Sequence, residues 1–159
     1  MENLMKILAI IQAKMNSVRL PGKVMMDIGG HLMIDWVITR TNLSSKISQT
    51  IIATTENEFD DPLVSWCINN GHNFFRGSEE DVLSRFYLCA KHYNADLIVR
   101  VTADDPLKEP KVLDKAVDKL LNSNADYCSN TVDVTYPEGL DIEVFTFTAL
   151  EKANNEAKL

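Results

Sequence analysis

Short apolar runs alternate along this chain with longer segments in which apolar residues recur every three or four positions. The run at residues 6–12 is almost unbroken, which is typical of a strand buried on both faces. Residues 97–102 repeat this pattern. Apolar runs of this kind predict six strands, at residues 6–12, 50–54, 73–76, 97–102, 127–130 and 141–147.

Capping residues and helical spacing indicate where the intervening helices begin and end. Asp61 is a suitable cap before Pro62, which fits the first helical turn, and Gly71 is a typical stop residue. Ser78, followed by three acids, is expected to open another helix. Thr148, with a Glu three residues later, forms a capping box. The predicted helices cover residues 33–43, 61–71, 78–92, 110–121 and a final segment from 148.

This alternation of strands and helices predicts an α/β fold with a mainly parallel sheet and helices on both faces. The length of 159 residues indicates a single domain, residues 1–159. In such folds ligands bind beyond the carboxyl ends of the strands. Function is therefore expected in three segments that follow strands, residues 13–23, 55–61 and 103–106.

Overall charge and composition limit the classes of function. The chain has 23 acidic and 16 basic residues, a net charge of −7, which argues against nucleic acid or an anionic membrane as a partner. We find no apolar stretch long enough for a transmembrane helix and no signal peptide at the start. Three widely spaced cysteines predict buried, reduced thiols and a cytoplasmic location.

One basic segment departs from this acidic background. No acidic residue occurs between positions 3 and 26, where Lys14, Arg19 and Lys23 lie in one loop after the first strand. Asp104 and Asp105 follow a later strand, so cations and carboxylates are expected to face one another at the same edge of the sheet. Cations neutralise phosphate oxygens and carboxylates hold Mg²⁺. This combination suits displacement at phosphorus.

Other signatures of nucleotide, metal and hydrolase sites are absent from the sequence. It contains neither a Walker loop nor a G-x-G-x-x-G fingerprint. The three histidines lack metal-ligand spacing, and there is no G-x-S-x-G elbow. A P-loop NTPase, an ordinary Rossmann dehydrogenase, a zinc enzyme and an α/β-hydrolase are all disfavoured.

The segment IIQAKMNSVRLPGKVMMDIGG resembles the opening of the spore coat polysaccharide biosynthesis protein F family, within the cytidylyltransferase superfamily. Further blocks match in the same order: ATTENEFDDPLVSWC, FRGSEEDVLSRFY, ADLIVRVTADDPLKEP and YPEGLDIEVFTFTALEKA. The superfamily includes the acylneuraminate and 3-deoxy-manno-octulosonate cytidylyltransferases. An ordered series of blocks covering nearly the whole chain is far more specific than one motif.

The resemblance implies a three-layer α/β/α nucleotide-diphospho-sugar transferase fold, which is Rossmann-like. It implies transfer of CMP from CTP to a sugar acid with release of pyrophosphate, Mg²⁺ as cofactor, and a role in cell-surface or spore coat polysaccharide synthesis. Relatives continue beyond position 159, so this chain is expected to be truncated at its C-terminus. The missing part would supply contacts of a homodimer and part of the sugar site.

The resemblance also assigns residue roles. Arg19 and Lys23 are expected to act in catalysis by offsetting charge on the phosphates, and Asp104 is expected to bind the metal. Asp141 falls where a residue facing the sugar or a second metal ion would lie. The predicted nucleotide-binding residues are Ala13, Lys14, Ser17, Arg19, Lys23, Arg76 and Ser78, with backbone amides of residues 13–17 contributing.

Plainer interpretations remain open for several of these residues. The basic loop is equally compatible with a solvated surface loop, Arg76 with an ion pair at a strand end, and Asp141 with a surface charge. Lys14 stands where the family has Arg, and it cannot form the two-pronged contact that Arg makes. Ala103 stands where the family has Gly.

Two other functions remain compatible with the sequence. A glycosyltransferase on a similar fold would consume a nucleotide-sugar, although a triphosphate needs more cations than a diphospho-sugar does. A non-catalytic relative would bind a nucleotide without turnover.

Overall fold

A computed structural model describes residues 5–157. Residues 1–4 and 158–159 lie outside this range. The prediction that the chain starts without a signal peptide rests partly on residues 1–4 and so lies partly outside the described residues. The main strands are β1 (Ile7–Gln12), β4 (Gln49–Thr55), β5 (Asn73–Gly77), β6 (Leu97–Thr102), β7 (Tyr127–Ser129) and β8 (Glu143–Thr146). The helices are α1 (Met33–Asn42), α2 (Asp61–Asn69), α3 (Val82–His92), α4 (Pro110–Leu121) and α5 (Phe147–Glu156).

Three shorter features complete the described chain. Strands β2 (Asp27–Ile28) and β3 (His31–Leu32) form a small antiparallel hairpin. Its turn is Gly29-Gly30, with φ angles of +66° and +93° that favour glycine. Single 3₁₀ turns lie at Lys23–Met25 and Glu58–Asp60.

The main sheet has the strand order β5-β4-β1-β6-β8-β7. The first four strands are parallel, whereas β8 pairs antiparallel with both β6 and β7. Gln12, the last residue of β1, lies in register with Ala53 of β4 and Thr102 of β6. The segments that follow these three strands therefore leave the sheet on the same side, at the carboxyl ends of the parallel strands, as predicted.

Helices cover both faces of the sheet, and the burial of β1 shows why. Ile7, Ala9 and Ile11 point into a core shared with α1, α2 and α4. Leu8 and Ile10 point into a second core, shared with α3 and α5. A strand with apolar side chains on both faces needs a helical layer on each. The predicted three-layer α/β/α fold is confirmed.

Two predicted helix starts are wrong by one or a few residues. Helix α3 begins at Val82, and its cap is the side chain of Asp81, which accepts from the Ser84 amide. Thr146 caps α5 by accepting from the Ala149 amide. The predicted starts at Ser78 and Thr148 fail because several neighbouring residues could act as caps, and the chain's path selects among them.

Helix α2 begins at Asp61, as predicted, but its cap position is Asp60 rather than Asp61, and the Asp60 side chain makes no capping hydrogen bond. None of the helices within residues 5–157 is both long and apolar enough to cross a bilayer.

Cysteine reactivity offers a direct check of the cores. Cys67 and Cys89 are buried free thiols, as predicted, whereas Cys128 is only half-buried. Burial raises the pKa of Cys67 to about 11 and that of Cys89 to about 12. Because the thiolate is the reactive form, we expect a thiol reagent at pH 8 to label Cys128 well before the other two. Mass spectrometry after timed labelling measures this. In denaturant, all three cysteines should be labelled equally. Equal labelling in the native protein would contradict these cores.

Candidate active site at the carboxyl edge of the sheet

The basic loop is fixed at its start by β4 and by a buried acid. The Ala13 amide donates to the Ala53 carbonyl at 3.2 Å, which continues the sheet by one residue. The Met15 amide donates to Asp60 Oδ1 at 2.6 Å. The Gly22 amide then donates back to the Met15 carbonyl at 2.8 Å, closing the loop. Its first residues are therefore held against the sheet.

Asp60 joins this loop to the end of β4. Only 1% of its surface is exposed. Its second carboxylate oxygen accepts from the Thr55 amide at 3.1 Å and from the Thr55 hydroxyl. Asp60 falls within residues 55–61, one of the segments where function was expected, but the prediction missed its role as the anchor of the basic loop.

A cavity of about 230 Å³ lies between the basic loop and the end of β6. We call it the loop cavity. It contains four of the predicted site side chains, Lys14, Ser17, Lys23 and Asp104, together with Ala13. The other residues lining it are Gln12, Val24, Arg100, Thr102 and Ala103.

Lys23 and Asp104 form an ion pair across the loop cavity. Their side chains are 21% and 39% exposed, so each remains accessible to a ligand. Burial raises the pKa of Asp104, but the hydrogen bond and the charge of Lys23 outweigh burial, and the pKa lies below its ordinary value. The carboxylate therefore stays ionised at neutral pH.

This ion pair predicts a pH dependence of stability. A carboxyl whose pKa is lowered by folding stabilises the protein above its unfolded-state pKa, about 3.9 for Asp. That contribution is lost as the pH falls through the lower folded-state value. We expect the free energy of unfolding to fall less between pH 7 and pH 3 in Asp104→Asn than in wild type, as measured by urea unfolding. The matched control is Asp133→Asn, at an exposed loop position. Identical pH profiles for wild type and Asp104→Asn would contradict the prediction.

The other two cations of the loop are placed differently. Lys14 lines the loop cavity, and its ammonium lies 3.6 Å from a carboxylate oxygen of Glu79. Arg19 is exposed and lies outside the residues that line the cavity. Lys14 and Lys23 are therefore gathered at one site, whereas a role for Arg19 requires the loop tip to fold over a ligand.

Backbone amides of residues 13–17 were expected to bind the nucleotide. Three of them are already used within the protein: Ala13 and Met15 as described, and Ser17, which donates to the Met15 carbonyl at 3.0 Å. The Ala13 amide continues the hydrogen bonding of the sheet, and Ala13 also contributes to the cavity wall. Nucleotide binding by Ala13 stays a prediction.

Arg76 and Ser78 do not line the loop cavity. The Arg76 guanidinium donates to the carbonyls of Thr55 and Asn57 at 2.8 and 2.9 Å and pairs with Asp61 at 2.7 Å. The pair with Asp61 fits the plainer interpretation, an ion pair at a strand end, and the contact of Arg76 with a base or sugar stays a prediction. The Ser78 hydroxyl accepts from the Asp81 amide at 3.0 Å in the turn before α3.

A second cavity, of about 330 Å³, adjoins the first. We call it the Asp141 cavity. Its lining shares Arg100 and Thr102 with the loop cavity and adds four further residues, Asp105, Thr131, Asp141 and Glu143. Arg100 donates to Glu143 at 2.5 Å and forms the common wall. The prediction missed Arg100 because a charged residue within an apolar strand gives no signal of what it faces.

Two predicted metal ligands, Asp104 and Asp141, line different cavities. Within residues 5–157, no group of three or more His, Cys, Asp or Glu side chains is arranged to hold a metal ion. Mg²⁺ in nucleotide sites is usually held by one or two carboxylates together with substrate phosphates. The ionised, accessible Asp104 fits such a site, and a metal role for Asp141 gains no support from its position.

A family model described as cytidylyltransferase matches residues 8–158. An uncharacterized protein of Methanocaldococcus jannaschii is 45% identical over 154 residues, 97% of this chain and 62% of the relative. The spore coat polysaccharide biosynthesis protein SpsF of Bacillus subtilis is 38% identical over 125 residues, 76% of this chain and 52% of the relative.

Among solved structures, a cytidylyltransferase from Leptospira borgpetersenii superposes with a TM-score of 0.91 at 38% identity, covering 98% of this chain and 66% of that one. The chain spans less than two thirds of the length of both curated relatives. The family match includes every residue that lines the loop cavity. The chain belongs to the cytidylyltransferase family.

Proposed function

We propose that the loop cavity binds the triphosphate of CTP and that the protein transfers CMP to the hydroxyl of a sugar acid. The observation that carries this proposal is the Lys23–Asp104 pair, which places a cation and an ionised carboxylate in one accessible cavity. Membership of the cytidylyltransferase family supports CTP as the donor. The choice of a sugar acid as the acceptor rests on the resemblance to acylneuraminate and 3-deoxy-manno-octulosonate cytidylyltransferases.

The cations of the loop are proposed to neutralise the triphosphate and the departing pyrophosphate. Lys23 exchanges its contact with Asp104 for a phosphate oxygen, and Lys14 adds a second positive charge nearby. Arg19 at the exposed loop tip completes this set when the loop folds over the phosphates. Positive groups aimed at developing charge lower the barrier to phosphoryl and nucleotidyl transfer.

The acceptor is proposed to bind on the side of the Asp141 cavity. Its hydroxyl oxygen forms a bond to the α-phosphorus, the bond to the bridging oxygen breaks, and pyrophosphate leaves with the electron pair. The hydroxyl proton passes to a base on the acceptor side, for which the exposed Asp141 carboxylate is our candidate. Asp104 would hold Mg²⁺, which supplies further charge neutralisation at the phosphates.

The cellular setting belongs to the same proposal. We place the reaction in cell-surface or spore coat polysaccharide synthesis, in line with the 38% identical relative. Free, buried thiols support a cytoplasmic location. A homodimer of the full-length protein stays a prediction.

Ligand titration tests the function. CTP, ATP and a nucleotide-sugar are titrated with Mg²⁺ by calorimetry, and pyrophosphate release is followed with a panel of sugar acids. We expect preferential binding of CTP and release of pyrophosphate that depends on the acceptor. Binding of a nucleotide-sugar but of no triphosphate would overturn the proposal and favour the glycosyltransferase. CTP binding with no release from any acceptor would indicate a nucleotide-binding relative without turnover.

A further inference from the structure

Lys108 is buried completely, with none of its side chain exposed. It lies in the turn between β6 and α4, four residues after Asp104. Lysine is almost never fully buried unless its charge is paired, because desolvating an ammonium group is costly. The residue is part of neither cavity wall, so the proposed reaction leaves its burial unexplained.

Every hydrogen-bonding position of this ammonium group is used. It donates to Asp105 Oδ2 at 2.8 Å, to the Gly139 carbonyl at 3.1 Å and to the Asp141 carbonyl at 2.9 Å. An ammonium has three donors and no more. One side chain thus joins the turn after β6 to the loop that precedes β8.

Both joined segments belong to the candidate active site. Asp105 also accepts from the hydroxyl of Thr102 at 2.5 Å, and Thr102 lines both cavities. Asp104, which pairs with Lys23, is the residue before Asp105. On the other segment, Lys108 holds the backbone of Asp141, whose side chain lines the Asp141 cavity.

The Lys108 backbone is fixed from the opposite side. Its carbonyl accepts from Arg40 Nε of α1 at 2.5 Å. Gly139 has a φ of +90°, and a Cβ placed there would lie 3.7 Å from Asp105 Oδ1. The loop before β8 therefore passes close over the Asp105 carboxylate, and Lys108 lies between the two segments as their common contact.

We propose that Lys108 is a positioning residue that fixes the position of the Asp141 cavity relative to Asp104 and the loop cavity. This inference rests on the proposed function, because it assigns the acceptor to the Asp141 side. Loss of the ammonium frees the loop at residues 137–142 without removing any side chain from the loop cavity. Acceptor use should therefore suffer while CTP binding is retained.

Amide hydrogen exchange tests this positioning without any ligand. The reporters are the amides of Leu140 and Ile142, which donate to the Pro137 carbonyl and to Asn130 Oδ1. In Lys108→Met we expect both amides to exchange about tenfold faster or more, since local opening becomes easier. The matched control is Lys111→Met, which removes an exposed lysine at the start of α4.

A double variant separates positioning from simple charge balance. Lys108→Met with Asp105→Asn removes the buried ammonium together with its half-buried partner carboxylate, so it should regain thermal stability relative to Lys108→Met alone. The two loop carbonyls still lack their donor, so fast exchange at Leu140 and Ile142 should persist. If Lys108→Met does not fold, this double variant carries the test.

Kinetics and binding complete the experiment. We expect CTP affinity within about threefold of wild type, whereas acceptor KM rises about tenfold or more, because small misplacements at a reacting site are costly. Unchanged exchange at both amides, or full recovery of protection in the double variant, would overturn the inference. Failure of wild type to bind CTP would overturn the proposed function alone, since the exchange result does not depend on a nucleotide.

Discussion

Lys23→Ala is expected to weaken CTP binding by about 30- to 150-fold, which corresponds to about 2–3 kcal/mol for a charge-assisted contact with phosphate. The substitution removes the one loop cation that both lines the loop cavity and faces the ionised Asp104. It also leaves Asp104 without its counter-charge, so a triphosphate would meet an unpaired carboxylate. Isothermal titration with CTP and Mg²⁺ measures the effect.

Two further variants make this result specific. Lys23→Arg keeps the positive charge and should lose much less affinity than Lys23→Ala. Lys111→Ala removes an exposed lysine of α4 and controls for the change in net charge. Equal losses in Lys23→Ala and Lys111→Ala would mean that the loop cavity is not where the phosphates bind.

Asp60→Ala is expected to cost about 3 kcal/mol of unfolding free energy, because three buried or half-buried donors lose their acceptor at once. These donors are the amides of Met15 and Thr55 and the hydroxyl of Thr55. CTP affinity should fall as well, since the start of the basic loop loses its anchor. Urea unfolding, and CTP titration at a temperature where the variant is folded, measure the two effects.

The neighbouring acid provides a matched control for Asp60. Asp61 has the same charge, is 58% exposed and pairs with Arg76 at the surface. We expect Asp61→Ala to lower the unfolding free energy by less than about 1 kcal/mol, as is usual for exposed pairs. Similar losses at the two positions would contradict the anchoring role of Asp60.

Element type was largely predictable because it depends on local pattern. In β1, residues on both faces are apolar, and this predicted burial between two helical layers. The ends of helices were less predictable: Ser78, Asp81 and Thr146 are all reasonable caps, and only the path of the chain decides between them. Local preferences among such residues differ by little, so tertiary contacts decide.

The candidate site was likewise predictable only in part. The sequence indicated the basic loop and Asp104, because charged residues directly after buried strands are brought to one edge by parallel pairing. It did not indicate the roles of Asp60, Arg100 or Lys108, each of which has a distant partner: Met15 is 45 residues from Asp60, Glu143 is 43 residues from Arg100, and Asp141 is 33 residues from Lys108. Nothing in the spacing of residues along the chain reveals such pairings.

Residue pattern was enough to predict the alternation of the main strands and helices, the resemblance to the family, and the cations that follow β1. Which charges meet depends on long-range packing: Lys23 with Asp104, Arg76 with the end of β4, and Lys108 with the loop before β8. The two kinds of information differ in range. Hydrophobic periodicity acts over neighbouring residues, whereas the partner of a buried or half-buried charge is fixed by how distant segments pack.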